Sequence, residues 1–144
     1  MPNEKKLIPE EYNKFVNSVK INLINLKQLS VERVNYDAVN SKLSVKLSFN
    51  TDTYKSELGL LRVYPKFIIE VVDINDVTAF SINFEYSIEY SFNGIENIEN
   101  DYIEAFVKRN VPINIWPYAR ELVSSLTTRM GFPALIMAPF TINS

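Results

Sequence analysis

Val111-Pro-Ile-Asn-Ile-Trp-Pro-Tyr-Ala-Arg-Glu-Leu-Val-Ser-Ser-Leu-Thr-Thr-Arg-Met-Gly-Phe-Pro-Ala-Leu-Ile-Met-Ala-Pro139 is the stretch that sets the architecture of this chain. Pro112 and Pro117 precede a run with no helix breaker until Gly131. Proline suits a first helical turn, where its missing N–H costs nothing. The spacing therefore predicts a helix from near Trp116 to near Met130. Ala119, Leu122, Val123 and Leu126 recur at intervals of three and four and give it one apolar stripe. Gly131 is placed to take the left-handed residue that closes the helix. Phe132-Pro133 and Ala138-Pro139 then impose extended backbone, because a residue before proline is pushed out of the α region. Such a tail has to lie along something.

Working outward, Tyr102, Ile103, Phe106 and Val107 predict another helix, from about Glu99 to Arg109, ending at Asn110 ahead of Pro112. Upstream lies the cleanest alternation in the protein. Phe80, Ile82, Phe84, Tyr86, Ile88, Tyr90 and Phe92 face one way, and Ser81, Asn83, Glu85, Ser87, Glu89 and Ser91 the other. The turn Asp73-Ile74-Asn75-Asp76 joins this strand to one from about Leu58 to Val72. That strand carries Leu61, Val63, Phe67, Ile69 and Val71 on one side and Leu60, Tyr64 and Ile68 on the other, and Pro65 demands an edge or a bulge within it. Leu43, Val45, Leu47 and Phe49 alternate with polar residues in a half-solvated strand. Between Ile21 and Val34 the apolar residues alternate but slip phase, as a long bulged strand would. Tyr12, Phe15, Val16 and Val19 mark a short amphipathic helix behind Pro9, Glu10 and Glu11. Asn93-Gly94 reads as a turn into an exposed acidic loop, and Gly59 as a second turn glycine. The expected class is α+β: a four-stranded antiparallel sheet with the C-terminal helices on one face, plus the N-terminal helix. Residues 1–20 read as an N-terminal extension and 21–144 as the domain proper.

Composition removes whole classes of chemistry. With 144 residues the chain is one domain, of a size that buries about 68–70% of its extended-chain surface. It has no cysteine and no histidine, so disulfides, common zinc sites, thiol chemistry and Ser-His catalysis go together. A net charge of −2 argues against nucleic acid. No apolar run reaches the roughly 18 residues of a membrane span, and the charged start, Met1 to Lys6, followed by Pro9, argues against a secretory signal. A cytoplasmic location is the expectation. Glu85 and Glu89 stand about 13 Å apart by strand rise, too far for a paired acid and base, and read as a solvated face. With three glycines in all there is no phosphate-binding loop. No enzyme, no metal and no cofactor is expected.

The C-terminal stretch resembles the core of the SecB family of bacterial export chaperones. The family pattern is proline, a few apolar residues, an aromatic and Pro-Tyr-Ala-Arg-Glu, then Arg, Gly, Phe-Pro and a Leu-Ala-Pro-like ending. Pro112, Trp116, Pro117, Tyr118, Ala119, Arg120, Glu121, Arg129, Gly131, Phe132, Pro133, Ala138 and Pro139 hold those places. Weaker similarity extends to Thr78-Ala79-Phe80 and Gly94-Ile95-Glu96. The resemblance implies an ATP-independent holdase whose apolar grooves hold extended, non-native polypeptide, assembled as a dimer or dimer of dimers with the long helix between subunits. It places Tyr36, Trp116, Tyr118, Phe132, Leu135 and Phe140 at the rim of the groove, each also explicable as core, with core or subunit interface the favoured reading for Trp116 and Tyr118. Leu122 and Leu126 are the expected subunit contacts on the helix, with Leu60, Tyr64 and Ile68 on the sheet. In the family, the export motor docks on carboxylates whose places here are Gln28, Glu32, Ser81 and Asn83. Only Glu32 keeps its acid, which weakens the case for the motor and favours a narrower clientele, such as an antitoxin of a toxin-antitoxin system. Relatives also continue past the position of Ser144 into a further helix and an acidic tail. An adaptor that binds one folded partner, or a small-ligand carrier, is the reading from a different class.

Overall fold

The computed structural model of the protein describes residues 8–92 and 100–141. The expected Asn93-Gly94 turn, the Gly94-Ile95-Glu96 similarity, the charged start at Met1 to Lys6 and the end at Ser144 lie outside them. In chain order come helix α1 (Pro9–Ser18), strand β1 (Val19–Arg33), a 3-10 turn (Tyr36–Asn40), β2 (Ser44–Asn50), β3 (Tyr54–Glu57), β4 (Leu60–Val63), β5 (Lys66–Val72), β6 (Thr78–Phe92) and helix α2 (Asn100–Arg129). All strand pairs are antiparallel, and β6 is the hub, pairing with β1, β4 and β5. β2 lies outside β5 and β3 outside β4.

The sheet has six strands where four were expected, and the reason is local. Pro65 has no N–H to donate, so the long third strand breaks into β4 and β5, both still flanking β6. The Pro65 carbonyl keeps its place by accepting from the Tyr86 N–H at 3.0 Å. The outer row breaks at the same level: β2 and β3 are separated by Thr51–Thr53, and the Tyr64 N–H donates across the gap to the Thr53 carbonyl at 3.0 Å. Leu58, expected in a strand, instead turns with Gly59 between β3 and β4, where Gly59 has φ +77°.

The two expected C-terminal helices are one. α2 runs through both prolines, although an interior proline costs about 3 kcal/mol of helix stability. The compensation is a continuous buried stripe, Ile103, Val107, Val111, Ile115, Ala119, Val123 and Thr127, at intervals of four across both prolines. Burying that stripe on the sheet outweighs the local penalty, at about 1.5–3 kcal/mol for each large apolar side chain. Near Pro112, the Thr51 hydroxyl donates to the Val107 carbonyl at 3.1 Å, which ties the break in the outer row to this turn of the helix.

Under α2 lies the aromatic row of β6. Phe80, Phe84, Tyr86, Tyr90 and Phe92 are all buried, with Phe84 stacked on Phe67 at 4.7 Å. Helix α1 closes one end, where Phe15 packs on Phe92 and Phe106, and Tyr12 donates to the Asn110 side chain at 2.8 Å. The other face of β6 is polar, as its alternation implied.

Candidate functional site

One helix cannot cover a sheet this wide, and its two uncovered margins are both apolar. On the β2 side, register places Val45, Leu47 and Phe49 opposite Val71, Ile69 and Phe67, hence on the helix face. Val45 and Leu47 remain exposed, at 47% and 43%. The tail comes back toward this margin. After Arg129 the Phe132 N–H donates to the Thr127 carbonyl and the Gly131 N–H to the Thr128 carbonyl, a Schellman closure with Gly131 at φ +88°. Beyond it residues 133–141 run without strand structure along the core. The Leu135 N–H donates to the buried Thr127 hydroxyl at 2.9 Å, and the Trp116 indole N–H donates to the Ala138 carbonyl at 2.6 Å. Between tail and strand lies a cavity of about 310 Å³, lined by Val45, Leu47, Trp116 and the tail from Leu135 to Thr141, with no ionisable side chain. Its aromatic wall is continuous: Trp116 meets Phe49 edge-on at 5.4 Å and Phe140 at 5.3 Å.

The β1 margin is a second apolar surface. Register shifts after Ile21 and after Leu26 re-phase the strand twice. Ile21, Ile24, Leu26, Leu29 and Val31 thereby all pair with helix-face residues of β6, namely Tyr90, Ile88, Tyr86, Phe84 and Ile82. The slipping alternation is thus a strand that returns most of its apolar residues to one side, Leu23 alone of the run from Ile21 to Val31 falling on the polar face opposite Glu89. Four of the five are exposed, Ile21 at 48%. Beside this row, Tyr118, Leu122 and Leu126 form the adjoining ridge of α2 at intervals of four. The Tyr86 hydroxyl, across from Leu26, donates to the Tyr118 carbonyl at 3.4 Å, and Arg33 donates to the Met130 carbonyl at 3.2 Å.

Electrostatically the two faces differ. On the helix side, burial pushes the Tyr90 phenol up to about 12, Asn114 opposing the shift, and burial likewise raises Tyr86. Both phenols therefore stay neutral. On the polar face, Glu85 is 8% exposed, contrary to the solvated setting expected for it, because Lys27 (2.7 Å) and Lys66 (3.7 Å) close over it. The bond to Glu85 raises the Lys27 pKa, and bonds from Arg62 and Asn22 hold the Glu89 carboxyl below the usual range. Register gathers Gln28, Glu32, Ser81 and Asn83 on this face, as neighbours across β1 and β6. Tyr64 lies there too, with the Lys27 ammonium 4.5 Å above its ring, alongside half-buried Leu60 and exposed Ile68.

The structure brings Trp116, Leu135 and Phe140 together at the β2 cavity. It does not bring the other three there. Tyr118 stands 47% exposed beside Tyr86, at the β1 margin. Phe132 is buried against Phe80, and Tyr36 meets it edge-on at 5.8 Å. Sequence reasoning missed Val45, Leu47 and the β1 row as surface. Their alternation was visible, and what hid their exposure was the width of a single covering helix. Gly131 gains a second role here, since a Cβ on it would lie 2.8 Å from the Tyr36 ring. Gly131→Ala is expected to lose about 1–2 kcal/mol from the left-handed backbone alone, read as a lower denaturation midpoint in urea. No group of side chains able to hold a metal ion occurs among the described residues, nor a helix long and apolar enough to cross a membrane.

Comparison with known proteins agrees with this geometry. Residues 13–143 match the family described as preprotein translocase subunit SecB. The protein-export protein SecB of Hydrogenovibrio crunogenus is 26% identical over 122 residues, 79% of each chain. That of Histophilus somni (strain 2336) is 26% identical over 131 residues, 85% of this chain and 75% of the relative. Among solved structures, the Mycobacterium tuberculosis SecB-like chaperone Rv1957, in complex with a ChAD peptide from the Rv1956 HigA1 antitoxin, superposes with a TM-score of 0.78. It is 16% identical and covers 87% of this chain and 93% of its own.

Proposed function

The chain belongs to the SecB family, and on that premise we propose that it is an ATP-independent holdase that keeps extended, non-native polypeptide soluble. The observation that carries the reading is the pair of uncovered apolar margins beside α2, one of them a cavity with an aromatic wall. Apolar surface of that extent has to be covered by something. A groove without ionisable lining fits many side chains, since it leaves no buried polar group unpaired against the wrong guest. The β1 row with the Leu122/Leu126 ridge serves as contact between copies, giving a dimer or dimer of dimers. Leu60, Tyr64 and Ile68 are a smaller contact surface on the opposite face. The reading places the protein in the cytoplasm, with no cofactor and no catalysis.

A second reading is a chaperone dedicated to one labile client such as an antitoxin. It is favoured by the antitoxin peptide on the M. tuberculosis relative, and by a polar face whose Glu70, Glu85 and Glu89 are each ion-paired, with Glu32 left as the acid at the motor-docking places. Mixing the protein at stoichiometric amounts with a test protein diluted out of denaturant, without nucleotide, is expected to suppress light scattering. Unchanged scattering contradicts the holdase. Suppression confined to one client among many favours the dedicated form.

A further inference from the structure

Resting on the holdase reading above, we propose that Met137-Ala138-Pro139-Phe140 is a tethered stand-in for a client, seated in the β2 groove and displaced when a real client binds. It also names what the groove selects: an extended segment with an apolar residue and an aromatic three positions apart.

Among the described residues the tail is the segment that lies along this margin, walling the cavity on one side and packing on Trp116 and Phe49 as a guest would. It is extended and in no strand. Ala138 and Pro139 hold it straight. Met137 is buried, and Phe140 fills the niche between Trp116 and Phe49, at ring distances of 5.3 and 6.4 Å. Three extended residues span about 10 Å, which fixes the separation of the two niches. The Trp116 indole reads backbone: its N–H takes the Ala138 carbonyl, and any polypeptide can supply that carbonyl. An exchange of one carbonyl for another avoids stranding a buried donor, which would otherwise cost about 1–3 kcal/mol.

The seat is also built to be left. Leu135 is anchored to Thr127, so the turn after α2 survives when the rest lifts away. Past that anchor Ile136 is 64% exposed and Phe140 only half-buried. With the tail seated on Trp116 and Phe49, guests bind more weakly in proportion to the fraction of time it is lifted.

The test uses reduced, carboxymethylated ribonuclease A, which cannot refold and contains no tryptophan, and the emission of Trp116, the single tryptophan of the chain. Binding is measured for the wild type, Phe140→Ala and a chain ending at Ile136. Client binding to the wild type is expected to shift the Trp116 emission. Phe140→Ala is expected to bind about three- to ten-fold more tightly and to start with its emission already shifted. The shortened chain is expected to behave likewise, and a synthetic peptide of residues 136–141 to compete with the client for it. Equal or weaker binding by both variants, with no response of Trp116 to the client, overturns the stand-in and leaves the holdase untouched. Absence of client binding in every form, wild type included, overturns both. If the shortened chain does not fold, Phe140→Ala, which keeps both anchoring hydrogen bonds, decides alone.

Discussion

Phe84→Ala is expected to lose about 3–5 kcal/mol of folding stability, the range for truncating a buried aromatic. Phe84 is 2% exposed, stacked on Phe67 at 4.7 Å and met edge-on by Tyr86 at 5.8 Å. It stands at the centre of β6, where β1, β5 and α2 converge, so no single neighbour can shift to fill the space without opening another contact. Domains of this kind have about 5–15 kcal/mol in all, and the variant should populate unfolded chain at room temperature. Urea denaturation reads the loss as a lower midpoint at unchanged slope. A loss below about 1 kcal/mol would mean that α2 does not cover this row.

Leu47→Asp is expected to do the opposite: to leave stability within about 1 kcal/mol and to weaken client binding at least ten-fold. Leu47 pairs with Ile69 on the helix face of β2, yet is 43% exposed at the mouth of the cavity. A carboxylate there keeps its water in the free protein, and surface changes of that sort are mild. A client that covers it strips that water with no cation at hand, since no ionisable side chain lines the cavity. Ser48→Asp, one residue on and facing the opposite side of the sheet, is the control and should leave binding unchanged. Titration of fluorescently labelled, reduced, carboxymethylated ribonuclease A against the three proteins measures the difference. Equal affinities would remove the β2 groove from the account.

The parts of this architecture that the sequence announced are those where burial and periodicity say the same thing. β6 is one instance, with aromatics on one face and serines, asparagine and glutamates on the other, as its register confirms. The slipping phase of β1 is another, since the ladder shifts between Leu26 and Gln28, where the apolar period also slips, and once more between Ile21 and Leu23. The α+β class and the helix end at Gly131 were legible for the same reason. What was not legible depended on contacts between distant segments. Proline is a helix breaker by local rules, and only the sheet beneath reveals that the stripe from Ile103 to Thr127 carries α2 through Pro112 and Pro117. Likewise Pro65 announced an interruption, but not that Thr51–Thr53 in the outer row would break opposite it. Of the residues lining the cavity, Trp116, Leu135 and Phe140 were singled out through family resemblance, and Val45 and Leu47 were not. Alternation reports which way a side chain points, and says nothing of whether anything lies over it.

The central claim is that this chain carries apolar margins it does not fully cover itself, shared between sister copies and non-native guests. Its most direct test is the native mass of the protein, alone and with reduced, carboxymethylated lactalbumin, in the absence of nucleotide. The account predicts an assembly of two or four copies, gaining the mass of the unfolded protein when it is added. A monomer whose mass is unmoved by that addition would contradict it.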